Sequence, residues 1–151
     1  QKMKKISQKN FLNKNIQPLN IMSEISKYCL NLILDLEFLI NTFHDARLEN
    51  FNLTIIGGPN KVVNELKHSL SKNTKAVGRL PQKDAVKEIQ TAEIGLLIND
   101  GSEVHSYLYT SPIKYFEYLR GRLKILAVDY EAHRKLPFAE NISFFKISPI
   151  S

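Results

Sequence analysis

The chain has 151 residues, is 43% hydrophobic and carries a net charge of +6, which suits one soluble globular domain with a real core and excludes a disordered polar chain. The charge is uneven: Lys2, Lys4, Lys5, Lys9 and Lys14 all precede the first acid, Glu24, leaving 16 basic against 15 acidic residues elsewhere. A nearly neutral remainder makes a nucleic-acid-binding face a poor reading, and the single cysteine, Cys29, excludes a disulfide framework or a cysteine-based zinc site while suiting a reducing compartment.

Residues 1–18 are polar, rich in Lys, Asn and Gln, and end at Pro18; they read as a basic leader or linker ahead of one domain over 19–151. The leader suits a solvated tail, and its lysines are also compatible with peripheral contact to an anionic membrane surface. Leu19 to Ile25 is a candidate first strand. The most apolar window, Tyr28 to Phe43, is broken by Asn31, Asp35, Glu37 and Asn41, so it does not read as a membrane span. No cleavable signal is visible, and the default expectation is a cytoplasmic protein, at most at the inner membrane surface. From Asp35, available as a cap or first-turn acid, Leu36, Leu39, Ile40 and Phe43 recur at helical spacing and predict a helix to about Leu48.

Leu53 to Ile56 is a β-branched run closed by Gly57-Gly58-Pro59, after which Val63, Leu66 and Leu70 resume helical spacing. The two glycines either let a phosphate approach the backbone or form a plain strand-to-helix turn; they are not a G-x-G-x-x-G fingerprint. Lys75 to Val77 reads as a short strand closed by Gly78, and Pro81 to Gln90 as a helix with Val86 and Ile89 inward. Glu93 to Ile98 and Lys124 to Asp129 read as strands around a helix from Pro112 to Arg120, followed by Glu131 to Leu136 as helix and Ile142 to Phe145 as strand. Strand and helix alternating in this way predict an α/β, Rossmann-like fold, a mainly parallel sheet with helices on both faces.

The segment with the most chemistry is Ser111-Pro112-Ile113-Lys114-Tyr115-Phe116-Glu117-Tyr118-Leu119. Proline is pre-set for the first helical turn, whose open N–H groups and positive dipole end favour phosphate. Lys114 adds a cation, and Glu117, nearly one turn later, projects from the same side with a carboxylate suited to a diol. The helix would start just past the carboxyl end of a parallel strand, where open α/β sheets bind ligands. An ordinary amphipathic helix, with Ile113, Phe116 and Leu119 as its buried stripe, accounts for the same spacing. His44, His68, His105 and His133 show no metal-ligand spacing and read as surface residues. No serine-nucleophile elbow or Walker-type loop occurs, so no metal and no cofactor is expected.

Thr110 to Leu119 resembles the donor-site signature of the group 1 (family 4) glycosyltransferases, in which Ser/Asn-Pro-x-Lys-x-x-Glu-Tyr-Leu opens a helix in the carboxyl-terminal domain of the two-domain GT-B fold. Leu53 to Gly58, Val77-Gly78-Arg79-Leu80-Pro81, Ala92 to Leu97 and Ile125 to Asp129 resemble the same family's other landmarks, in order, across residues 35–146. The resemblance implies a hexosyltransferase-like half-enzyme of glycan or polysaccharide biosynthesis, whose substrate is a nucleoside-diphosphate sugar and whose partner is an amino-terminal acceptor domain absent from this chain. Carried over by position, Glu117 would bind the ribose hydroxyls, and the backbone from Ser111 and Pro112 through Ile113 to Lys114 would hold the diphosphate. Gly78, Arg79 and Leu80 would lie along the base, and Gly57 and Gly58 would border the donor. The departures are Tyr109 where many members have a second glutamate, Arg122-Leu123-Lys124 for the usual Gly-Lys-Pro with Gly121 one place early, and a first loop that offers only Lys27. Two other readings stay open: a non-catalytic Rossmann-like module, and half of a sugar-nucleotide epimerase built on the same two-domain plan.

Overall fold

A computed structural model describes residues 19–25, 32–98 and 113–147. Six strands, β1 (Leu19–Ile25), β2 (Phe51–Gly57), β3 (Thr74–Val77), β4 (Ile94–Leu97), β5 (Lys124–Val128) and β6 (Ile142–Phe145), form one sheet in the order β3-β2-β1-β4-β5-β6. All five neighbouring pairs are parallel. The order reverses between β1 and β4, which defines a switch point of the kind that opens a crevice at the carboxyl ends of the strands.

Both sheet faces are covered, and the strand pleat assigns each apolar residue to one of them. On one face, α1 (Leu32–Thr42) brings Leu36, Leu39 and Ile40, with Phe43 just beyond it, against Ile21, Leu53, Ile55 and Leu96. Opposite, α3 (Gln82–Gln90) and α4 (Ile113–Arg120) bring Ile89, Tyr115 and Tyr118 against Ile56, Leu97, Ile125 and Ala127. Successive residues of one strand, Ile55 and Ile56 or Leu96 and Leu97, thus enter different cores. The remaining helices are α2 (Asn60–Leu66) and the short α5 (Glu131–Arg134).

The expected parallel sheet is present, including the strand at Leu19–Ile25. The helix expected from Asp35 to Leu48 differs. It begins at Leu32, which places Asp35 inside it, and it ends at Thr42. Asp45 then caps a separate 3-10 turn, Ala46–Leu48, by accepting the Arg47 backbone N–H at 2.9 Å while its carboxylate pairs with the Arg47 guanidinium at 2.6 Å. A side chain that offers its own acceptor to the backbone competes with continuation of the helix.

Candidate functional site at the carboxyl edge of the sheet

Because the strands are parallel, the segments that follow β2, β3 and β5 all emerge at one edge. Gly57 and Gly58 turn the chain from β2 into α2 at φ 101° and 79°, a region in which a Cβ is strained. The plain-turn requirement for glycine is therefore present whatever else the turn does. Gly78, at the end of β3, meets the start of α2: a Cβ built there would lie 2.2 Å from Asn60 Oδ1. Beside it Arg79 is exposed, and Leu80 packs against the α3/α4 core.

The other half of the edge is α4. Lys114 and Glu117 are both half-buried on it, and the Glu117 carboxylate has no hydrogen bond or ion pair among the described residues. Ser111, Pro112 and Tyr109 lie outside the described residues, as do Lys27 and His105. The buried stripe of α4 is not the expected one. Ile113 and Phe116 are 65% and 45% exposed, whereas Tyr115 and Tyr118 are 1% and 0% exposed; only Leu119 of the expected stripe joins the core, and only in part.

The physical reason lies in the partners each tyrosine finds. Tyr118 lays its ring on Gly95 of β4, where a Cβ would fall 2.5 Å from the ring, and its hydroxyl donates to Leu96 O at 3.3 Å. The Tyr115 hydroxyl donates to Pro137 O at 2.5 Å, and burial, followed by the nearby Glu140 charge, raises its pKa. Each tyrosine buries a large ring while its hydroxyl keeps a hydrogen bond, so neither is penalised for a buried polar group. This rotation leaves Lys114 and Glu117 on the flank of the helix rather than beneath it.

At the end of α4 the left-handed turn falls on Arg122, not on Gly121. Arg122 N–H donates to Leu119 O and Leu123 N–H to Tyr118 O, both at 3.0 Å, the paired bonds of a Schellman ending, with Arg122 in the left-handed position at φ 60°. Gly121, one place earlier, is needed for space instead: a Cβ there would lie 2.8 Å from Ile89 Cγ2 and from Leu123 Cδ1.

His133 also departs from its reading as a surface residue. It is fully buried on α5, and its Nδ1 lies 2.6 Å from Val128 O. A carbonyl only accepts, so Nδ1 carries the proton, and Nε2 is left as a buried nitrogen with no partner among the described residues. Burial lowers the His133 pKa, and the Val128 carbonyl only partly opposes that. The spacing of His133 gives no sign of this, although the groups its ring meets, the Val128 carbonyl and the Tyr130 ring, are close in the chain. By contrast, His44 and His68 are exposed as expected.

A cavity of about 430 Å³, lined by Asn20, Asn52, Thr54, Lys75 and Thr91 among others, opens at the amino ends of β1 to β3. It holds none of the candidate donor-binding residues. The topological reversal and the glycine and lysine-glutamate elements all lie at the opposite edge, which is the better candidate on chemical grounds.

No family model and no curated protein matches the chain. Among solved structures, the Rossmann-like fold is similar to that of glycosyltransferases, one of them a C-terminal domain. The glycosyltransferase GlyE of Streptococcus pneumoniae TIGR4 matches at a TM-score of 0.57 and 11% identity over 87% of this chain and 30% of its own. TarM matches at 0.58 and 14% identity over 89% of this chain and 26% of its own. The C-terminal domain of a group 1 family glycosyl transferase (LpcC) of Francisella tularensis matches at 0.52 and 14% identity over 85% of this chain and 67% of its own. The chain thus spans less than a third of the first two proteins, and at these identities the likeness is one of fold. Among the described residues no helix is long and apolar enough to cross a membrane.

Proposed function

We infer that this domain binds a nucleoside-diphosphate sugar at the carboxyl edge of its sheet and serves as the donor half of a glycosyltransferase. The observation that carries the reading is the placement of Lys114 and Glu117 on the flank of a helix that starts beside the strand-order reversal, in a fold shared with glycosyltransferases. The start of α4 would hold the diphosphate, with Lys114 adding charge. Glu117 would accept both ribose hydroxyls, and the backbone of Gly78 to Leu80 would border the base. Transfer would occur in a cleft closed by an acceptor-binding domain, so this chain alone would bind donor without turnover.

Calorimetric titration with uridine, guanosine and adenosine diphosphates tests this. The expected result is binding of one diphosphate more tightly than its nucleoside, with Glu117→Ala costing about 1.5 to 3 kcal/mol, the range for a hydrogen bond to a charged group. No binding by the folded chain at millimolar concentration would refute the donor site and favour a non-catalytic module.

A further inference from the structure

The end of β5 carries a corner that sheet packing and the α4 site leave unexplained. Tyr130 N–H donates to Val128 O and Asp129 N–H to Phe145 O, both at 2.8 Å, and the N–H groups of His133 and Arg134 return to Tyr130 O at 3.1 Å. The Arg134 guanidinium pairs with Asp129 at 2.5 Å and lies over the Phe144 ring at 4.7 Å. Inside the corner, the Tyr130 ring stacks on His133, with centroids 5.8 Å apart and planes at 24°. His133 is itself fully buried and bonded to Val128 O. A half-buried tyrosine at the carboxyl edge is therefore held against a fixed backing, and an aromatic ring already ordered meets a ligand at little further cost in side-chain entropy.

Resting on the donor reading above, we propose that Tyr130 is the platform for the sugar of the bound nucleotide, its ring packing against the C–H face of a pyranose. The order of the strands supplies the direction. The base would border the end of β3, and the diphosphate would sit at the start of α4, the helix that links β4 to β5. Strands lie about 4.8 Å apart, so β3 and β5, four places removed, are separated by about 19 Å along the edge. A ligand laid from β3 past α4 brings its terminal group to β5, and in a nucleoside-diphosphate sugar that group is the pyranose. An aromatic face suits the apolar C–H side of such a ring and needs no hydrogen-bond partner.

The test compares each nucleoside diphosphate with its hexose ester by calorimetry, and follows saturation transfer from protein to the pyranose C–H protons, in the wild type, Tyr130→Phe and Tyr130→Leu. Leucine keeps apolar bulk against His133 and removes the ring, and thermal melting verifies that each variant is folded. The expected result is that Tyr130→Leu weakens the hexose ester at least about fivefold, the low end of an aromatic stacking contact, and abolishes transfer to the sugar protons. The diphosphate alone would bind as before, and Tyr130→Phe, which keeps the ring, would retain transfer to the sugar protons. Equal loss for ester and diphosphate, or no loss for either, overturns the platform while the donor site stands. Failure of the wild type to bind any diphosphate overturns both.

Discussion

The buried histidine makes stability depend on pH in a direction the structure dictates. His133 titrates near 6.5 when unfolded, and burial lowers its folded pKa; protonation would put a charge and a second N–H, on Nε2, into a site where no described residue accepts it. The unfolded chain therefore binds the extra proton first, so the stabilisation is present above the unfolded pKa and is lost as pH falls below it. A histidine that bound no proton at all when folded would lose about 1.4 kcal/mol between about pH 7.5 and about pH 5.5, which is the ceiling for His133. In a chain of this size that ceiling corresponds to a fall of at most about 5 °C in melting temperature. The assay is urea or thermal unfolding at several pH values on the wild type and His133→Gln. The variant should be less stable at neutral pH, because packing is lost, yet flatter in its pH response by the amount assigned to His133. Equal slopes in the two proteins, or a wild type that gains stability on acidification through this window, would refute the reasoning.

Other outcomes follow from the same contacts and are read by denaturant unfolding. Gly95→Ala should destabilise by about 1 to 3 kcal/mol, the usual range for overpacking, since its Cβ would meet the Tyr118 ring at 2.5 Å and that ring is fully buried; a neutral substitution would mean that the ring moves aside freely. Tyr118→Phe should cost about 0.5 to 1.5 kcal/mol by losing the hydroxyl bond to Leu96 O. Arg122→Gly should stabilise by up to about 1 kcal/mol, because relief of the left-handed Cβ, about 1 to 2 kcal/mol, outweighs glycine's entropy cost of about 0.5 to 1. A lower unfolding midpoint in that variant would show that the Arg122 side chain contributes more than its exposed position, with φ 60°, suggests.

Much of the architecture was legible in the chain because the signals are local. The run from Leu53 to Ile56 followed by Gly57-Gly58, and the alternation onward to Ile142–Phe145, specify strand, turn and helix through pleat spacing and glycine's freedom, and each appears where expected. Lys114 and Glu117 were likewise readable as neighbours on one helix, since their spacing alone sets that. The face of α4 was not: Ile113, Phe116 and Leu119 recur at helical spacing, and so do Tyr115 and Tyr118. Only the hollow left by Gly95, together with the carbonyls of Leu96 and Pro137, decides that the tyrosines turn inward. His133 shows the same limit, because residue spacing does not signal the turn that folds its ring back onto the Val128 carbonyl and the Tyr130 ring. The sequence by itself determined the order of elements and the placement of Lys114 and Glu117 on one helix, because helix, strand and turn preferences act over a few residues. Tertiary structure decided which side chains are inside and which flank the edge, because burial and hydrogen-bond satisfaction depend on atoms that segments far apart in the chain bring together.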